Sequence, residues 1–194
     1  MKKWLAILGL VTFSMNSAVS FAADVVGTLA VKSTMMVRGT PEKVWGIIGG
    51  FNDLPKWHPA IAKSQLEISG DANSGGITSR ILTLNVPDNP VIVEQLLSQD
   101  PEKMTYSYAI TKTVPEVLPV QNYMSTISVV PVDKNQSQVI WEGSFSALPN
   151  TDPAKAKEIV ENVYTTGLIN LKGMLNTTAD GKVLPERENS RVAK

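Results

Sequence analysis

From residue 61 to residue 146 the chain alternates apolar and polar side chains in six short runs, 61–69, 77–84, 91–98, 103–111, 123–130 and 138–146. A period of two sends successive side chains to opposite faces, so each run predicts a half-buried strand. Turn-forming residues separate the runs: Gly75-Gly76, Pro87-Asp88-Asn89-Pro90, Asp100-Pro101 and Asp133-Lys134-Asn135. Connections this short join antiparallel neighbours, so the six strands predict a meander. A β-branched run over 25–37 predicts a further strand ahead of them. Between it and the meander, Thr40-Pro41-Glu42-Lys43 supplies a capping hydroxyl, a proline at the first helical position and an early acid. Val44, Trp45, Ile47 and Ile48 follow, which predicts a short helix ended by Gly49-Gly50. The aromatic, turn-rich stretch 51–59 predicts a second, broken helical piece.

The period changes after residue 150. Asp152-Pro153 reads as an N-cap followed by proline at the first helical position. Apolar residues then recur at Ala156, Ile159, Val160, Val163, Tyr164, Leu168, Leu171, Met174 and Leu175, a helical spacing. A helix over 153–176 would be roughly 36 Å long. The expected fold is therefore α+β: a seven-stranded antiparallel sheet, two short helices after the first strand, and a long C-terminal helix. That helix is the only large partner for the buried face of the sheet. At about 10 Å wide it cannot cover seven strands unless the sheet curls around it. Curling leaves room between helix and sheet, which makes a cavity the expected functional feature.

Composition narrows the chemistry. The chain has 194 residues, with 18 basic and 18 acidic side chains, no cysteine and one histidine. A neutral balance argues against a nucleic-acid partner. The lack of cysteine excludes disulfides, thiol nucleophiles and cysteine-ligated metals, and a lone His58 is a poor basis for metal sites or Ser–His–Asp hydrolysis. No cofactor is implied. Residues 1–22 have the layout of a secretory signal peptide: Lys2 and Lys3, an apolar stretch from Trp4 to Phe13, then Ser20-Phe21-Ala22. Cleavage after Ala22 would leave 172 residues with 16 basic against 18 acidic groups and no membrane span. The expected protein is periplasmic, with a domain over 23–178 and a loose charged tail over 179–194.

Five stretches, in this order and spacing, carry a family resemblance: Thr40-Pro41-Glu42-Lys43-Val44-Trp45, Leu54-Pro55-Lys56-Trp57-His58-Pro59, Val93-Glu94-Gln95-Leu96, Tyr106-Ser107-Tyr108 and Trp141-Glu142-Gly143-Ser144-Phe145. Together with the element order they resemble the helix-grip, or START/Bet v 1-like (SRPBCC), superfamily, and within it the polyketide cyclase/dehydrase and lipid-transport group. The signal peptide and Trp57-His58-Pro59 look most like a periplasmic branch that includes accessory proteins of bacterial methanol oxidation. The plant abscisic-acid receptors are similar at a greater distance.

Candidate site residues follow from pairing and from that resemblance. A register setting Leu84 across from Pro90 places Arg80 opposite Glu94, either as an exposed rung or as an inward pair that reads a ligand. The receptor branch implies the inward choice for Glu94. It also implies that Tyr123 and Ser125, two apart on one strand face, line the pocket, with Tyr108 and Ile110 at its apolar positions. On the last helix Asn170 matches a polar pocket residue, with Val163 and Thr166 on the same side. For Glu142 the two readings conflict: alternation turns it to solvent while Val139, Trp141 and Phe145 face inward, whereas the resemblance turns it inward beside Tyr123. His58 can anchor a ligand carboxylate, act as an acid or base, or simply pack between Trp57 and Pro59. Loops 85–90 and 113–119 sit where the receptors have a gate and a latch, but neither loop motif is present, so no hormone-gated phosphatase partner is implied. Three functions remain open: a binding protein for a small, largely apolar or amphipathic molecule, an accessory factor with a periplasmic protein partner, and a cyclase or dehydratase enzyme using His58 or Glu94 as acid or base on a polyketide-like substrate.

Overall fold

The computed structural model describes residues 28–70, 75–177 and 181–184. The proposed signal peptide and most of the charged tail lie outside the described residues. The chain order is β1 (Leu29–Arg38), α1 (Pro41–Ile48), α2 (Leu54–Trp57), β2 (Ile61–Ser69), β3 (Ile77–Leu84), β4 (Val91–Asp100), β5 (Thr105–Lys112), β6 (Val120–Asp133), β7 (Gln136–Ala147) and α3 (Pro153–Asn176). All seven strands form one antiparallel sheet in the order β1-β7-β6-β5-β4-β3-β2. This is the curved sheet and C-terminal helix of the expected helix-grip fold.

Local chemistry explains the boundaries. The Thr40 hydroxyl accepts from the Lys43 amide at 3.3 Å, and the Gly49 amide closes α1 on the Trp45 carbonyl at 2.7 Å. Asp152 caps α3 by accepting from the Ala154 amide at 3.0 Å. Several strand bounds depart from the periodicity; β4 runs two residues further, to Asp100, and β7 begins two residues earlier, at Gln136. β5 begins at Thr105 instead of 103, because residues 101–104 turn and Met104 takes φ +51°. β6 begins three residues earlier than its alternation predicts, because a bulge between Gln121 and Met124, with Asn122 at φ +52°, shifts the inward parity from Val120 to Tyr123.

α3 buries a continuous stripe: Ala156, Val160, Tyr164, Gly167, Leu168, Leu171 and Leu175. Each of its enclosed leucines contributes about 2 kcal/mol of burial. Met174, expected on that stripe, is instead exposed at 41%. The helix packs mainly on β1 and also on β7, and α2 fills the space between α3 and β2. The inner faces of β3, β4 and β5 are thus left without a helix directly over them. None of the described helices is long and apolar enough to cross a membrane.

Candidate functional site

The uncovered inner face becomes a cavity of about 110 Å³. Its floor comes from alternate residues of three strands: Leu82 and Leu84 on β3, Ile92 and Glu94 on β4, Tyr108 and Ile110 on β5. Val160 and Val163 of α3 face them, with Tyr123 and Trp141 at the side and Leu54, His58 and Ile61 closing one end. Val86, Val117 and Leu118, from the two proline-rich loops, form the rim. The lining is almost wholly apolar, and Glu94 is its one carboxylate.

Strand register decides the Arg80–Glu94 question. Arg80 pairs with Glu94 across β3 and β4, and Arg80 Nε donates to Glu94 Oε2 at 2.5 Å. The side chains are 0% and 7% exposed, so this is an inward pair and not a surface rung. Arg80 lies behind Glu94, outside the cavity wall. Its Nη1 donates to the Phe51 carbonyl, and its guanidinium lies 4.3 Å from the Phe51 ring centre and 5.1 Å from that of Tyr108. Burial opposes the arginine charge, but Glu94 and the tyrosines around it outweigh that and hold it above the usual arginine range. Burial pushes the Glu94 carboxyl up, against the pull of Arg80.

A second polar group runs from Tyr108, Tyr123 and Trp141 in the cavity wall to Ser125 and Tyr164 behind it. Ser125 donates to the Glu142 carbonyl at 2.9 Å, which uses its single hydrogen. Its oxygen therefore receives the Trp141 indole N–H at 3.1 Å and the Tyr164 hydroxyl at 2.8 Å, and Tyr123 in turn donates to Tyr164 at 2.6 Å. The Trp141 N–H also reaches the Tyr108 oxygen at 3.1 Å. Burial pushes the Tyr164 phenol up to about 12 and raises Tyr108 and Tyr123 well above the ordinary phenol, so all three stay protonated at neutral pH. Gly143 makes the space: a Cβ there would stand 2.4 Å from the Tyr164 oxygen and 2.8 Å from the Met124 carbonyl. Gly143→Ala is expected to lower unfolding stability by ~1–3 kcal/mol in urea titration. Adding Tyr164→Phe should recover part of that loss, because the nearer of the two clashes disappears.

His58 is 1% exposed and both ring nitrogens are occupied. Nδ1 accepts from the Ala60 amide at 3.2 Å, so it carries no hydrogen, and Nε2 therefore donates to the Val163 carbonyl at 2.9 Å. Burial depresses its pKa, with a smaller contribution of the same sign from Arg80. The ring is a neutral brace between α2 and α3. It fits because residue 167 is glycine: a Cβ there would lie 2.4 Å from the imidazole Cδ2. Helical spacing marks neither glycine. A glycine inside a strong helix or strand pattern is the signal that could have flagged both.

Of the residues expected at the pocket, His58, Glu94, Tyr108, Ile110, Tyr123 and Val163 lie in the cavity wall. Ser125 and Arg80 stand one layer behind it. Three expectations are corrected. Glu142 faces solvent, as alternation requires, and pairs with Lys32 at 2.8 Å, because no bulge interrupts the β1 pairing at this point. Thr166 is exposed because it sits on the face of α3 opposite its buried stripe. Asn170 is also outside the cavity; its amide donates to the Trp57 carbonyl at 2.9 Å and ties α3 to α2. Leu82, Leu84 and Ile92 were not singled out, although each lies two or four residues from Arg80 or Glu94 on the same strand face.

Residues 28–175 match the family described as polyketide cyclase/dehydrase and lipid transport. Among solved structures, the protein XoxI from Bacillus cereus is 33% identical, covers 75% of this chain and 94% of its own, and superposes with a TM-score of 0.65. An uncharacterized protein from Bacillus thuringiensis is 34% identical over 76% of this chain and 98% of its own, with a TM-score of 0.66. The Zhui aromatase/cyclase from Streptomyces sp. R1128 is 18% identical over 80% of this chain and 99% of its own, at a TM-score of 0.62, and shares the fold. A search of curated proteins finds no match.

Proposed function

The chain belongs to the polyketide cyclase/dehydrase and lipid-transport family, and we propose, from the signal-peptide layout of residues 1–22, that it is exported to the periplasm and there binds a small, largely apolar molecule in its internal cavity. The observation that carries this reading is the apolar chamber between α3 and the inner faces of β3–β5, with a single carboxylate in its wall. The state of His58 argues against acid–base catalysis through that residue. Both of its nitrogens are held by backbone groups, so it offers no free site for proton transfer to a guest.

Native mass spectrometry of protein released gently from a periplasmic fraction tests both parts. The polypeptide mass is expected to correspond to residues 23–194, with an additional noncovalent mass that Val163→Trp, which fills the cavity, abolishes. Absence of the chain from that fraction would reject export, and an uncleaved chain in it would reject cleavage after Ala22. A bare polypeptide that takes up no apolar probe would reject binding.

A further inference from the structure

Resting on that binding reading, we propose that the occupant is a neutral molecule of about one six-membered ring that donates a hydrogen bond, from a hydroxyl, to Oε1 of Glu94. Size is the first argument. Drug-sized ligands occupy roughly 300–1,000 Å³, whereas an apolar cavity of about 150 Å³ accommodates benzene. A chamber of about 110 Å³ is nearer that size, which favours a single ring over a fused polycycle.

Charge is the second argument. Arg80 and Glu94 already neutralise each other, and His58 is uncharged. A carboxylate guest would add a negative charge beside Glu94. An ammonium guest would bring a cation into an apolar chamber whose only anion is already paired. Either leaves a charge uncompensated away from water, which is strongly unfavourable.

Hydrogen bonding is the third. Arg80 reaches Oε2, and among the described residues Oε1 receives no donor. Oε1 is not one of the fully enclosed unpaired atoms, which are Trp57 Nε1 and Arg80 Nη2, and Glu94 is part of the cavity wall. A carboxylate oxygen facing an apolar chamber needs a donor, so a hydroxyl on the ring is the complementary group.

Calorimetric or NMR titration of the mature chain at neutral pH, with phenol, cyclohexanol, toluene, benzoate and benzylammonium, tests the idea. Phenol and cyclohexanol are expected to bind about tenfold or more tightly than toluene, the increment of one hydrogen bond to a charged acceptor. Benzoate and benzylammonium should not bind measurably. In the Arg80→Met/Glu94→Leu double variant, phenol and toluene should bind alike. In Glu94→Gln, where Arg80 loses its counterion, benzoate should gain affinity. Toluene binding as well as phenol to the unaltered chain, or a charged probe binding best, would overturn this assignment while leaving the binding reading intact. No binding by any of the five would sink both.

Discussion

Glu94→Ala is expected to lower unfolding stability by ~3–5 kcal/mol, because it strands the Arg80 guanidinium, 0% exposed, without its counterion. Arginine does not deprotonate in proteins, and burial raises the folded Glu94 carboxyl, so this loss should be largest at the acid end of pH 5 to 8 and shrink as pH rises through the folded pKa. The reciprocal variant, Arg80→Met, should behave differently. It leaves a buried carboxyl that burial already pushes upward, and this group can escape the penalty by taking a proton. Its folded pKa would then exceed its unfolded value. The stabilisation from protonation is present below the unfolded pKa, near 4.5, and is lost as pH rises through the folded one. Arg80→Met should therefore be markedly less damaging at pH 5 than at pH 8. The Arg80→Met/Glu94→Leu pair should recover most of the stability, since well-packed apolar replacements of buried ion pairs are often neutral or better. Urea unfolding at the two pH values measures all three. Equal pH dependence in the two single variants would contradict the burial of this pair.

The second large effect is expected at His58. His58→Ala removes the donor to the Val163 carbonyl, the acceptor for the Ala60 amide, and the edge contacts with Trp57 and Trp141 at 5.8 and 5.9 Å between ring centres. Two partly buried backbone groups lose partners and a void opens, for a cost of ~2–4 kcal/mol. The native ring is neutral and its folded pKa lies below the unfolded 6.5. Its contribution is thus fully present above the unfolded pKa and is lost as pH falls toward the folded one, by at most about 1.4 kcal/mol per pH unit. The stability difference between the unaltered chain and His58→Gln should shrink as pH is lowered from 7.5 to 5.5. Taking that difference cancels the titration of other groups. A difference that widened toward acid pH would mean that the folded ring is cationic.

Much of this fold was legible in the residue pattern, and the reasons are local. The bounds of β2, β3 and α3 follow directly from alternation, helical spacing and Asp152-Pro153. The opposition of Arg80 and Glu94 follows from the proline-rich turn that sets Leu84 against Pro90. β6 was less legible because its bulge resets the parity of the strand, and a reader of periodicity loses the residues before Tyr123. On the strands, Glu94, Tyr108 and Tyr123 lie in the cavity wall, where the family resemblance and not the alternation places them. The site was not legible on α3, where Thr166 is less than a turn and Asn170 about two turns from Val163, yet neither reaches the cavity.

The sequence by itself determined the order of elements, the bounds of β2, β3 and α3 and the opposition of Arg80 to Glu94, because these depend on residues near in the chain or paired through a short turn. Only the tertiary structure decided that Glu142 meets Lys32 in solvent, that both nitrogens of His58 are taken by backbone, and that Gly143 and Gly167 clear space for Tyr164 and His58. It alone decided the size of the chamber. A cavity is the volume left between α3, seated on β1 and β7, and strands on the other side of the sheet. That volume is set by the summed bulk of side chains far apart in the chain, and no periodicity encodes such a sum.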